Sequence, residues 1–168
     1  NGEIYNYKEI RTDLESNGIA FRSNSDTEVI LYAMDHFGPF EAVKLLDGMF
    51  AIGLVDLFKD ELYLFRDFAG IKPLFYGWKS GSLVFGSQYD QITKHPLFKD
   101  ERVNQEVLSV FLRWHYVPAP LGMLENTGQL LAGSWLHVAK DGKVKQGKYW
   151  QFDPFRPSSI HSEKEALE

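Results

Sequence analysis

The first three residues, Asn1, Gly2 and Glu3, hold the densest chemistry in the chain. An Asn side-chain amide beside a Gly backbone N–H offers two neutral donors that can converge on one point. Such donors stabilise negative charge developing on a carbonyl oxygen, the task of an oxyanion hole. Gly at the second position lets the backbone come close to a ligand. Glu3 adds a carboxylate next to the pair. Asn-Gly is also the commonest signal for a tight two-residue turn, so the dipeptide alone decides nothing. A further acid, Asp26, heads an apolar-periodic stretch. An acid there complements a helix dipole.

The remaining chemistry-bearing residues lead elsewhere. Arg66 and Asp67 are adjacent in a bend rich in Gly and Pro, and a buried ion pair pinning that bend is the simplest reading. His36, His95, His115, His137 and His161 are scattered, with no pair at i, i+4, so no metal site is expected. No Gly-rich phosphate loop and no Ser in a nucleophile-elbow context occurs. The chain has no Cys, which excludes disulfides, thiolate metal sites and a cysteine nucleophile supplied by these residues.

The elements that must carry Asn1 to Glu3 and Asp26 can be read from periodicity. Asn6 followed by Glu9 fits a helix start, apolar residues recur at Tyr7, Ile10 and Leu14, and Gly18 suits the left-handed end; this predicts a helix over 7–17. Ser25 with Glu28 reads as a capping box with Asp26 at the first helical position, before an apolar face of Val29, Ile30, Ala33, Met34 and Phe37. A short helix over 40–46 follows. From Gly48 the period changes. Residues 49–57 and 61–66 predict a hairpin buried on both faces, because apolar residues occupy nearly every position. Segments 74–79 and 82–87 predict a second hairpin about Ser80 and Gly81, and 134–139 with 143–150 a third about Asp141 and Gly142. Residues 88–94 are expected to be helical, and Asn104 to cap a helix bearing Val107, Leu108, Phe111 and Leu112. Residues 116–120 read as a rigid extended crossing. The strand aromatics, Phe50, Phe65, Phe75, Tyr76, Trp78 and Phe85, are expected in the core. Amphipathic helices over doubly buried antiparallel strands imply a layered α+β domain.

With 168 residues the chain can bury a full core. A net charge of −5 leaves no basic excess to neutralise phosphates, so nucleic acid is not the expected partner. No apolar run approaches a membrane span and no signal peptide is recognisable, so a soluble cytoplasmic protein is expected. The first residues read as the end of a strand, and 162–168 as the first turn of a helix. Residues 1–152 are therefore expected to form a partial domain, and 153–168 a linker and the start of a following one.

The ordered segments NGEIYN at 1–6, SDTEVIL at 25–31, LLDGMFAIGLVD at 45–56, RDFAGIKPLFYG at 66–77, FGSQ at 85–88 and YVPAPLGML at 116–124 resemble the glutaminase domain of class II glutamine amidotransferases, in the asparagine synthetase branch. SEKEALE at 162–168 is similar to the start of the synthetase domain that follows it there. The resemblance implies a four-layer α-β-β-α sandwich of antiparallel sheets, the N-terminal-nucleophile hydrolase type, lacking its N-terminal part. It implies glutamine as substrate and a synthetase domain in cis, with ATP and Mg2+ in that domain and no cofactor in this one. Asn1 and Gly2 fall where the family has its oxyanion hole. Glu3 and Asp26 fall on positions that hold the amino-acid end of glutamine.

The chain departs from the family pattern in several places. The nucleophilic Cys, whose own α-amine serves as base in the family, and the Arg that clamps the substrate carboxylate are both absent. Gln88 stands where Glu is usual, and GQLLAG at 128–133 lacks the usual prolines. The chain alone is thus expected to be inactive. Two other readings stay open: a non-catalytic module binding glutamine or a partner, and the glutaminase part of an enzyme that amidates sugar acids.

Overall fold

The computed structural model describes residues 1–153, and the tail 154–168, with most of the expected linker and domain start, lies outside them. Along the chain run β1 (Gly2–Ile4), α1 (Tyr7–Ser16), α2 (Asp26–Phe37), α3 (Pro39–Leu45), β2 (Gly48–Asp56), β3 (Glu61–Arg66), β4 (Phe75–Lys79), β5 (Ser82–Gly86), α4 (Tyr89–Thr93), α5 (Gln105–Trp114), β6 (Thr127–Gln129), β7 (Ser134–Val138) and β8 (Val144–Lys148). One sheet has the order β1-β2-β3-β7-β8 and the other β5-β4-β6, with every named pairing antiparallel. The three expected hairpins form. Strand β6 has no apolar alternation to announce it, and only its pairing with β4 makes it a strand.

Alternation along the first sheet explains why its strands are apolar throughout. Phe50, Ile52 and Leu54 of β2, Tyr63 and Phe65 of β3 and Trp135 of β7 face the helices. They pack there with Ile10, Leu14, Val29, Ala33, Met34 and Val43. Ala51, Leu64 and Leu136 point the other way and meet Leu74, Leu130 and Tyr76 of the second layer. Period 2 with apolar residues on both faces is what a sheet between two layers requires. Leu64 is fully buried between the sheets, so Leu64→Ala should cost about 2–5 kcal/mol. Beyond the second sheet, α4 and the turn through Phe98 form a fourth layer. The Phe98 ring lies over Gly77, where a Cβ would come within 2.6 Å of it, and Tyr89 meets Phe75 at 5.4 Å between ring centroids. The sandwich is four layers deep.

Local signals hold with two changes. Helix α1 ends in a Schellman motif: Gly18 N–H donates to Glu15 O (2.9 Å), Ile19 N–H donates to Leu14 O (3.1 Å), and Gly18 takes φ +85°. Asn6 stands at the N-cap of α1, but its side chain does not cap the helix. Its amide donates to Leu45 O (2.8 Å) and its carbonyl oxygen accepts from Asp47 N–H (3.0 Å), tying β1 to the start of β2. Ser25 does cap α2, accepting from Thr27 N–H at 3.1 Å, but Glu28 does not return to Ser25. It takes the backbone of Arg22 and Ser23 instead. Asn104 caps α5 as expected, accepting from Glu106 and Val107 N–H. The Ser80 and Gly81 turn has φ +52° and +75°, the type I′ signature. Phe85 departs from the core expectation: 40% exposed, it reaches across to Gly53, where a Cβ would stand 2.6 Å from its ring.

Candidate functional site

Strand β1 is an edge strand, and its register decides which groups are free. Asn1 and Ala51 exchange both main-chain hydrogen bonds, N to O at 3.1 Å and the return at 2.8 Å. Gly2 stands opposite Phe50, Glu3 opposite Met49 and Ile4 opposite Gly48. Hydrogen-bonded and non-bonded pairs alternate in an antiparallel ladder. With Asn1 in a bonded pair, the N–H groups of Gly2 and Ile4 point away from β2, off the sheet edge. Ile4 N–H meets the Asp26 carboxylate there, donating to Oδ2 at 3.1 Å. Gly2 N–H points the same way, into open space.

Gly2 is there for a second reason. Its φ is +139°, and a Cβ would sit 2.0 Å from Met49 O and 2.7 Å from the Phe50 Cα. No other residue lets β1 lie this close to β2 at that dihedral. Among the described residues, the side chains of Asn1 and Glu3 are exposed and make no hydrogen bond.

Asp26 opens α2, brought to β1 by the loop that leaves α1. Its Oδ2 takes Ile4 N–H, and its Oδ1 accepts from the Thr27 hydroxyl at 3.4 Å. The carboxylate is half-buried and lies at the mouth of a cleft of about 550 Å3. Asn1, Gly2, Glu3 and Asp26 all line this cleft, over an apolar floor that includes Met34 and Ile52. An adjoining hollow of about 320 Å3 shares Gly2, Glu3 and Asp26 and adds Tyr7. No Lys or Arg lines either space. The site therefore joins backbone and amide donors to unpaired negative charge. Charge of that sign favours a cationic group, while donors off a strand edge favour a carbonyl oxygen.

The four residues singled out from sequence thus share one cleft. Reasoning from sequence missed Glu28. Its carboxylate accepts from Arg22 N–H (2.9 Å), Ser23 N–H (2.7 Å) and the Ser23 hydroxyl (2.6 Å), and it lines the same cleft. The Ser23 hydroxyl, then the Arg22 N–H, hold its carboxyl below the usual range. Its spacing from Ser25 had suggested a capping box, which hid this role.

Arg66 and Asp67 lie elsewhere. Both are buried, at 7% and 0% exposure. They do not clasp each other, which corrects the ion pair expected from sequence. Arg66 donates to the carbonyls of Lys72, Leu130 and Gly70 at 2.9, 2.6 and 2.8 Å. Asp67 accepts from the N–H groups of Ile71, Lys72 and Phe50 at 2.8, 2.9 and 3.3 Å. Burial pulls the Arg66 guanidinium down from its usual range, and Asp67 opposes this. Each ion satisfies loop backbone that would otherwise be orphaned. Among the described residues, no group of three or more His, Cys, Asp or Glu could hold a metal ion, and no helix is long and apolar enough to cross a membrane.

Comparison with known proteins adds to this geometry. Residues 1–150 match the family model described as a glutamine amidotransferase domain. The chain is 30% identical over 170 residues to the putative asparagine synthetase (glutamine-hydrolyzing) 2 of Methanocaldococcus jannaschii, covering 100% of this chain and 32% of the relative. It is 32% identical over 164 residues to asparagine synthetase (glutamine-hydrolyzing) 1 of Bacillus subtilis, covering 98% of this chain and 25% of that one. The chain thus spans between a quarter and a third of the length of these relatives. A solved structure of glutamine phosphoribosylpyrophosphate amidotransferase from B. subtilis, complexed with ADP and GMP, superposes with a TM-score of 0.64 at 17% identity. That match covers 90% of this chain and 28% of the other, and it is a likeness of fold.

Proposed function

The chain belongs to the glutamine amidotransferase family, and on that premise we propose that it is the glutaminase portion of an asparagine synthetase-like enzyme. Its four-layer sandwich is of the N-terminal-nucleophile hydrolase type, and it is homologous to the glutaminase half of the asparagine synthetases. The observation that carries the proposal is the convergence of Gly2 N–H and the Asp26 carboxylate on one side of β1, in a cleft lined by no Lys or Arg.

In this reading the cleft takes glutamine. The α-ammonium lies between Glu3 and Asp26, where charge-assisted hydrogen bonds are strong. The side-chain carbonyl lies toward Asn1 and Gly2. A thiolate adds to the amide carbon, and the carbonyl oxygen becomes an oxyanion held by the Asn1 amide and Gly2 N–H. The C–N bond then breaks, ammonia leaves with a proton from the base, and water hydrolyses the thioester to glutamate. No residue of this chain can supply the thiolate. The ammonia passes to a synthetase part, where ATP and Mg2+ would activate a carboxylate; no residue of this chain is assigned to them.

The test is direct. The 168-residue chain should release neither glutamate nor ammonia from glutamine. A form preceded by a family segment beginning with Cys should release both. Activity of the chain alone, or none from the Cys-bearing form, would overturn the reading. The second outcome favours a module that binds glutamine without cleaving it.

A further inference from the structure

Asp26 is aimed by a loop, and that loop is held from two sides. Residues 22–24 lead from the loop after α1 to Ser25, the cap of α2. From the α2 side, the Glu28 carboxylate gathers Arg22 N–H, Ser23 N–H and the Ser23 hydroxyl. The Ser23 oxygen in turn accepts from Ser25 N–H at 3.3 Å, and Ser25 caps the helix. From the α1 side, the Arg11 guanidinium donates to Ser23 O at 2.7 Å and to Asn24 Oδ1 at 3.3 Å, and lies 4.6 Å over the Phe21 ring. Hydrogen bonds join Glu28 to Ser23, Ser23 to Ser25 and Asp26 to Ile4, and the main chain itself carries Ser25 into Asp26.

A helix cap needs only Ser25. Three donors on one carboxylate, two residues beyond Asp26, do more than cap. They fix where α2 begins relative to β1, and so the gap between Asp26 and Gly2. We propose that Glu28 is the positioning residue for Asp26: by clamping Arg22 and Ser23 it holds the Asp26 carboxylate against the β1 edge, where it receives the α-amine of glutamine. Glu28 touches no substrate in this arrangement. The inference rests on the glutamine reading of the cleft, and its test separates the two.

The experiment uses the whole 168-residue chain, 15N-labelled, with Glu28→Gln and Ser23→Ala. Exchange of the Ile4 amide reports on its bond to Asp26, while Leu14 and Ala33 report on the core. Glu28→Gln keeps size but turns an acceptor-only group into a mixed one, so Ile4 exchange should rise about tenfold with the core unchanged. Half-saturation by L-glutamine, followed at the Gly2 and Ile4 signals, should rise by about the same factor. Glutaramate, which is glutamine without its α-amine, should bind both proteins equally. Unchanged Ile4 exchange, unchanged glutamine affinity, or an equal loss for both ligands overturns the proposal. Should Glu28→Gln unfold the chain, Ser23→Ala decides: it leaves two donors on Glu28, so about a two- to threefold rise in Ile4 exchange is expected, and none overturns it. If the unaltered chain binds no glutamine, the substrate reading of this chain falls, and Ile4 exchange still decides whether Glu28 positions Asp26.

Discussion

Asp26 and Asp67 flank the same strand pair and teach opposite lessons. Asp67 is fully buried and accepts from three backbone N–H groups. Asp26 is half-buried, accepts from one backbone N–H, and turns its other oxygen toward a hydroxyl at the mouth of an open cleft. In sequence Asp67 read as one half of an ion pair with Arg66, pinning a rigid bend. A carboxylate sealed from solvent under three donors of its own fold is closed to a ligand. Spare capacity, not polarity, marks the site.

Four measurements can break or sharpen this contrast. The largest effect is expected on stability at the saturated site. Asp67→Ala orphans three backbone donors, so urea unfolding should show a loss of about 3–5 kcal/mol, against under about 1.5 kcal/mol for Asp26→Ala. Equal losses would end the distinction. Next comes chemistry at the open site. In the Cys-bearing form, Asn1→Ala should lower glutamine turnover by about 10²–10³ while leaving unfolding within about 0.5 kcal/mol, as befits an exposed oxyanion donor. An unchanged rate would refute that role. Asp26→Asn should weaken glutamine binding by about tenfold with little effect on turnover, and an unaltered dissociation constant by calorimetry would count against its assignment.

The smallest effect is on pH. Glu28 is held below its ordinary value of 4.5, by Ser23 first and then Arg22. Glu61 is also held below 4.5, by the Tyr63 hydroxyl first, with His137 adding. A carboxylate with a depressed folded value contributes stability above its unfolded value and loses it as pH falls through the folded one. Unfolding free energy should therefore decline as pH drops below about 4.5, and Glu28→Gln or Glu61→Gln should each flatten that decline slightly, because both groups are solvent-screened. A decline that survives both substitutions intact would place its origin elsewhere.

Much of the fold was legible because its signals are local. Gly18 at a helix end, Ser80-Gly81 in a turn and Asn104 as a cap each need only a few neighbours to work. The doubly apolar β2 and β3 announced a sheet covered on both faces. Strand β6 stayed hidden because three residues paired with β4 carry no period of their own. The same limit applied to Asn6, Glu28 and the Arg66–Asp67 pair. Residue type offered several partners, and Leu45, Ser23 and Lys72 were chosen by where the chain folded back.

By itself the sequence determined the layered class, the helix and hairpin order, the absence of Cys among these residues and the four residues worth watching. Those are properties of spacing and composition, which the chain carries whether folded or not. Tertiary structure alone decided that Asn1 pairs with Ala51 and so turns Gly2 N–H outward, that Asp26 meets the same edge, and that Glu28 grips the loop between them. Register sets which backbone donors are spent, and register arises only when distant segments meet.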